Sequence, residues 1–297
     1  MDLLRWESQP DLRRPILVFA FEGWNDAGDA ASLALSHLAA AWKAERFATI
    51  DCEELYDFTV TRPTVRLVDD QRIIQWPDIE LLGAPVPGSA HDLVLLRGVE
   101  PQLHWRTFAQ AVVTVGQTVN AELAVALGAL LADVPHTRPV RVSGTSDDSE
   151  LASRLGLIPP VYEGPTGIVG ILHDALRRGG IPTAMFWAAV PHYVHQMPSP
   201  KAALALVESA AALLGAPVDV LELQAAALDY EREVSERIGD DEAAAAYVAQ
   251  LEQGLDSSWE APGSAEGFGP AMASSIDELA AEVERFLRDH PQSGRGE

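Results

Sequence analysis

Three carboxylates within eight residues, Glu22, Asp26 and Asp29, stand in the run Glu22-Gly23-Trp24-Asn25-Asp26-Ala27-Gly28-Asp29. Such a density suits a cation, an amine or the activation of water. It opposes a pyrophosphate, so the run is not a phosphate loop even where it opens a helix. Gly23 and Gly28 permit backbone angles closed to other residues. A structural reading covers the same residues: Asp26 is placed as a helix cap, Asp29 favours the positive end of the helix dipole, and Trp24 can be core.

Gly164-Pro165-Thr166-Gly167 opens a second helix, where free N–H groups can hold an anion and Thr166 can add a hydroxyl. A Gly-Pro turn capped by Thr166 accounts for these residues equally well. His173, on that helix, reads as a partly buried polar residue. Pro191-His192-Tyr193-Val194-His195 follows a strand, and two histidines three apart can share a metal. No third ligand of matched spacing accompanies them, so neither a metal nor another cofactor is expected. The run Ser143 to Ser149 lacks the Gly-x-Ser-x-Gly of a nucleophile elbow and reads as helix capping by Asp147 or Asp148. Cys52 lies beside Asp51, Glu53 and Glu54, which raise a thiol pKa, and as the single cysteine it excludes a disulfide framework or a Cys-cluster metal site.

The elements that position these loops follow from periodicity. Pro15 to Phe21 is a short apolar run without alternation, as in a central strand covered on both faces. A buried helix over 30–43 follows it. Further strands are expected at 47–52, at 65–68 and 72–76 around Asp69-Asp70, at 93–96, 140–143 and 184–190, with helices over 105–118, 164–178 and 200–214 and an apolar stretch over 123–131. This alternation predicts an α/β protein with a mainly parallel sheet covered by helices on both faces. After Gly215 only helix signals remain. The expected organisation is an α/β core over 1–215, an acidic helical hairpin over 216–260, with Asp240 or Asp241 capping its second helix, and a linker with a terminal helix and frayed end over 261–297. The capping box Ser275-Ile276-Asp277-Glu278 marks that last helix.

The chain has 297 residues, 47% of them apolar, and a net charge of -23. Of that charge, 18 acidic against 5 basic residues from Glu222 onward supply -13. A field of this sign repels phosphate backbones and anionic lipid, so nucleic acid and membrane are not expected partners. No apolar run of spanning length and no leader-like start is present, and a cytoplasmic protein is expected.

Three stretches together carry a resemblance: Phe21 to Gly28, Gly98-Val99-Glu100-Pro101 with Trp105, and Gly164 to Gly167 followed by Pro191-His192-Tyr193. They resemble the prokaryotic, especially actinobacterial, branch of the proteasome assembly chaperone family, over about residues 14 to 215. The resemblance implies a three-layer α/β/α core of the phosphorylase/hydrolase-like kind with a C-terminal helical extension, and it brings no agreed catalytic set. It implies binding to a protein partner or self-association, and it admits a trimer. Missing catalytic motifs favour a noncatalytic assembly or quality-control factor. A small-ligand binder or enzyme using the strand-end loops, and a structural homo-oligomer, stand as alternatives. The candidate residues for ligand or partner contact are Glu22, Gly23, Trp24, Asn25, Asp26, Gly28, Asp29, Gly164, Thr166, Gly167, His192 and Tyr193, the first eight-residue loop and the two later ones.

Overall fold

The computed structural model describes residues 3–259. Strand β2, Ile16–Glu22, lies inside an eight-stranded sheet between β7, Leu93–Val99, and β8, Leu123–Ala132, and runs parallel to both. Its residues alternate between two separate cores. Ile16, Val18 and Ala20 pack on α1, Ala30–Ala41, and α5, Pro200–Leu214. Leu17, Phe19 and Phe21 pack on α2, Trp105–Thr118, and α4, Ile168–Arg178. A strand buried on both faces needs apolar residues at every position, which is why this run shows no polar alternation.

On the far side of β8 lies β10, Thr183–Pro191, also parallel, and then β9, Val142–Thr145, antiparallel at the edge. Beyond β7 come β6, Ile79–Ala84, β3, Glu45–Ile50, and β1, Leu4–Trp6, each antiparallel to its neighbour. Five of the eight strands therefore run in one direction, with an all-parallel centre and helices on both faces, a three-layer α/β/α arrangement. β1 and β6 are additions to the sequence expectation. The former has only three residues, and the Ile-Glu-Leu-Leu-Gly-Ala of the latter lacks a clear period.

The expected pair at 65–76 forms a hairpin of its own, β4, Thr64–Val68, and β5, Gln71–Gln75, outside the main sheet. Its register leaves Asp69 and Asp70 as a two-residue turn with φ of 50° and 61°, the type I′ geometry whose twist matches paired strands. The short helix α3, Ser149–Leu155, starts where Asp148 accepts the N–H groups of Glu150 and Leu151.

Gly215, at φ 63°, ends α5, and α6, Leu221–Gly239, returns along it. Helix α7, Glu242–Trp259, is capped by Asp241, whose Oδ1 accepts the Ala243 N–H at 2.9 Å. Arg138 binds it to the core through Asp256 at 2.8 Å and Glu252 at 3.3 Å. The linker and capped helix expected over 261–297 lie outside the described residues. Among the described residues, no helix is long and apolar enough to cross a membrane.

Candidate functional site

The parallel strands β7, β2, β8 and β10 end at one rim, where ligands of α/β sheets bind. Glu22 is the last residue of β2, and its carbonyl accepts the Glu100 N–H at 2.9 Å. Gly23 has φ 129°, a backbone region for which other residues are strained, and turns the chain past the Glu100 side chain. Asn25 and Asp26 then rejoin the sheet: the Ala129 N–H donates to Asn25 O at 2.9 Å, and Asp26 bridges to Ala129.

Asp26 is a helix cap. Its Oδ1 accepts the N–H groups of Ala31 at 2.7 Å and Ser32 at 3.2 Å, which satisfies the first turn of α1. Burial of the side chain raises its pKa against these bonds. Its Oδ2 and the neighbouring Asn25 Oδ1 are buried without a hydrogen-bond partner. Asp29 occupies the position before α1 in a left-handed conformation, φ 51°, and makes no side-chain cap bond. The Gly28 carbonyl accepts the Ser199 N–H at 2.6 Å, tying this loop to the segment after β10.

Helix α4 is capped from a distance. Its N-cap residue is Gly167, not Thr166, and the bond comes from Glu100, whose Oε1 accepts the Ile168 N–H at 2.7 Å. The anion that a helix N-terminus attracts is thus supplied by the chain itself. Thr166 is exposed, with its hydroxyl 3.4 Å from Gly167 O, and Gly164 is exposed beside Tyr162, whose hydroxyl donates to Pro165 O at 3.0 Å. Gly167 is where the three sequence motifs meet. A Cβ there would lie 2.1 Å from Asn25 Oδ1, 2.8 Å from Glu100 Oε1 and 3.0 Å from Trp24 Cε3.

Around this buried joint the indole of Trp24 stands 63% exposed, with Glu22 also exposed. Trp24 is therefore not core, whereas the next two residues, Asn25 and Asp26, are buried.

His192 and Tyr193 lie in a different group at the end of β10. His192 pairs with Asp133 at 3.0 Å, and the rings of His192, Tyr193 and Tyr247 meet edge to face. The Tyr193 hydroxyl accepts the His136 N–H at 2.8 Å and sits 2.9 Å from His136 Nδ1, while His136 Nε2 lies 3.0 Å from Ser235 Oγ on α6. Lys201 completes this joint by donating to His136 O and pairing with Glu231. Burial lowers the His136 pKa, with the Lys201 charge adding to it against Glu231 and Glu252. His192 and Tyr193 thus fasten the helical extension to the core, and among the described residues neither forms a hydrogen bond, ion pair or ring contact with Trp24.

His173 is buried, 3.0 Å from the Thr183 hydroxyl, and Cys52 is buried with its thiol pKa pushed up to about 12, chiefly by desolvation. Among the described residues, no three His, Cys, Asp or Glu side chains group to hold a metal. Glu100 and His136 are the two residues that reading the loops alone passes over. Glu100 carries a signal, since Val99-Glu100-Pro101 ends the strand beside β2, whereas His136 sits in a connection with no pattern.

The family model of the PAC2 family matches residues 20–238. Among solved structures, a PAC2 family protein from Streptomyces avermitilis is 48% identical, with 79% of this chain and 99% of that one covered and a TM-score of 0.74. A proteasome-assembly chaperone homologue from Mycobacterium tuberculosis is 47% identical, with 78% and 99% covered and a TM-score of 0.72. An archaeal proteasome activator from Pyrococcus furiosus, at 17% identity with 80% and 99% covered and a TM-score of 0.64, shares the fold alone. None of the curated proteins compared matches the chain.

Proposed function

We propose, from the premise that this chain belongs to the PAC2 family, that it is a noncatalytic, protein-binding assembly or quality-control factor of the cytoplasm that also self-associates. One observation carries the reading: the three motif segments close on one another at Gly167 and present the Trp24 indole to solvent. Tryptophan is among the residue types most enriched at the energetic centres of protein interfaces, and of the exposed tryptophans among the described residues Trp24 is the most exposed. The surrounding groups support it. Glu22 and Glu100 are carboxylates at this rim, and among the described residues neither forms an ion pair. Together with a chain charge of -23, this favours a basic segment of the partner, with its cation over the indole.

The likeness to a proteasome-assembly chaperone homologue supports an assembly-chaperone-like activity, and the acidic residues of α6 and α7 favour a basic partner at that face as well. Affinity purification of the full chain at low salt with mild crosslinking tests this. A heterologous protein recovered with the wild type and lost with Trp24→Ala supports the proposal. Recovery of the chain alone counts against it.

A second reading, a small-ligand binder at the same rim, draws on the unpartnered buried acceptors Asn25 Oδ1 and Asp26 Oδ2. A thermal shift with nucleosides, divalent metals or acyl compounds, abolished by Asp26→Asn, is its signature.

A further inference from the structure

The β4–β5 hairpin exposes all ten of its strand residues. Register and pleat sort them onto two faces: Val65 pairs with Ile74 and Leu67 with Arg72, with Trp76 continuing the same face. That face therefore carries Val65, Leu67, Ile74 and Trp76 with Arg72 among them, and Leu67 is 76% exposed. Phe58 anchors its base by an edge contact with Trp76, ring centroids 5.0 Å apart. An isolated two-stranded hairpin is at best marginal in water, so an apolar face of this size stands short of the burial that would hold it.

A matching surface occurs elsewhere on the same chain. On α6 Leu221, Ala225 and Leu228 follow helical spacing along one exposed side, with Leu221 72% and Leu228 71% exposed, and the side ends at Arg232, whose charge is paired with Asp229 at 2.7 Å. The rest of that helix packs inward through Ala227, Tyr230 and Val234. Charge separates the two surfaces. The arm over 60–76 has three arginines, Arg62, Arg66 and Arg72, against Asp69 and Asp70, whereas residues 216–259 have eleven acidic against two basic residues. In a chain of -23 the arm is a locally basic, apolar projection, and the α6 side is apolar within an acidic field.

We infer that the β4–β5 arm of one copy docks, by its Val65, Leu67, Ile74 and Trp76 face, on the Leu221–Leu228 side of α6 in a second copy of this chain. The contact joins two different surfaces, so it is head-to-tail and closes as a ring or runs on as a filament according to its rotation. This inference rests on the self-association in the proposed function and names the surfaces that perform it.

The test is the solution mass of the full chain by sedimentation velocity, with folding followed by circular dichroism. Wild type sediments as an oligomer. Leu67→Asp/Ile74→Asp in the arm and Leu221→Glu/Leu228→Glu on α6 each sediment as monomers with unchanged melting of the core, and the single Leu67→Ser shifts the mass only in part. An equimolar mixture of the two double variants gives a one-to-one pair, because one intact arm and one intact α6 side remain. A monomeric wild type overturns self-association and this inference with it, while leaving partner binding at Trp24 standing. A wild-type oligomer unchanged by the arm variants overturns the arm alone. A mixture that stays monomeric, with the arm variant dissociated, overturns α6 as its receptor.

Discussion

Glu100 Oε1 accepts the N–H of Ile168 at 2.7 Å across 68 positions of sequence. One carboxylate from the end of β7 thereby caps α4 and fixes the joint on which Trp24 stands. Removal of a cap costs about 1 kcal/mol, within a range of roughly 0.5–2. Glu100→Ala is expected to lose that amount in urea denaturation, and Glu100→Gln, which keeps an acceptor oxygen, to lose less. Equal losses for both would show that the charge rather than the bond matters.

Gly167 has no room for a side chain. A Cβ 2.1 Å from Asn25 Oδ1 and 2.8 Å from Glu100 Oε1 must shift these packed side chains and the cap that Glu100 supplies, and overpacking of this kind costs about 1–3 kcal/mol. Gly167→Ala is expected to lower the denaturation midpoint accordingly and to weaken partner binding by displacing Trp24. A midpoint equal to wild type would show the joint to be loose.

Asp26 separates two effects that share one side chain. Its Oδ1 caps α1, while burial disfavours its charge and raises its pKa above 3.8. The ionised group therefore subtracts from stability at neutral pH, and that loss is relieved as pH falls through the raised folded value. Asp26→Asn keeps the cap oxygen without the charge and is expected to be as stable as wild type or more so at pH about 7. Asp26→Ala is expected to be about 1 kcal/mol less stable. Urea titrations at two pH values read both.

His136 and His173 both have pKa values lowered by burial from 6.5. Charges facing them modify this in both senses: Lys201, Glu231 and Glu252 at His136, and Asp147, Arg177 and Asp174 at His173. A histidine whose folded pKa lies below the unfolded value binds more protons when unfolded. Its contribution is whole above about 6.5 and is lost as pH falls from there toward the folded value. Stability should therefore fall as pH drops below about 6.5, and His136→Gln should flatten the slope. A slope unaffected by His136→Gln would assign the whole effect to other groups.

The fold was legible where one physical demand governed a segment. Ile16 to Phe21 is apolar throughout because both faces of β2 are buried, and α2 and α5 begin and end where their periodicity says. The edge strand β1 was not, since it is three residues long and pairs on one side only, and neither was the internal β6, whose Ile-Glu-Leu-Leu-Gly-Ala lacks a period. In the site, the capping role of Asp26 could be read locally because cap and helix are neighbours in sequence. The cap of α4 could not, because Thr166 is the local candidate and Glu100 reaches it only through the fold. The exposure of Trp24 has no local signature, since a tryptophan beside a glycine fits core and surface alike, and Tyr193 meets His136 only through bonds across 57 positions of sequence.

The central claim is that Trp24 is displayed for a protein partner rather than buried for stability. Its direct measurement is the affinity of the recovered partner for wild type and for Trp24→Ala, beside urea denaturation of both. A central interface tryptophan is worth about 2 kcal/mol or more on truncation, whereas an exposed residue off any interface changes stability by about 0.5 kcal/mol or less. The expected result is binding weakened by more than about tenfold with unfolding unchanged within that margin. Unchanged affinity, or a loss matched by an equal loss of folding stability, would contradict it.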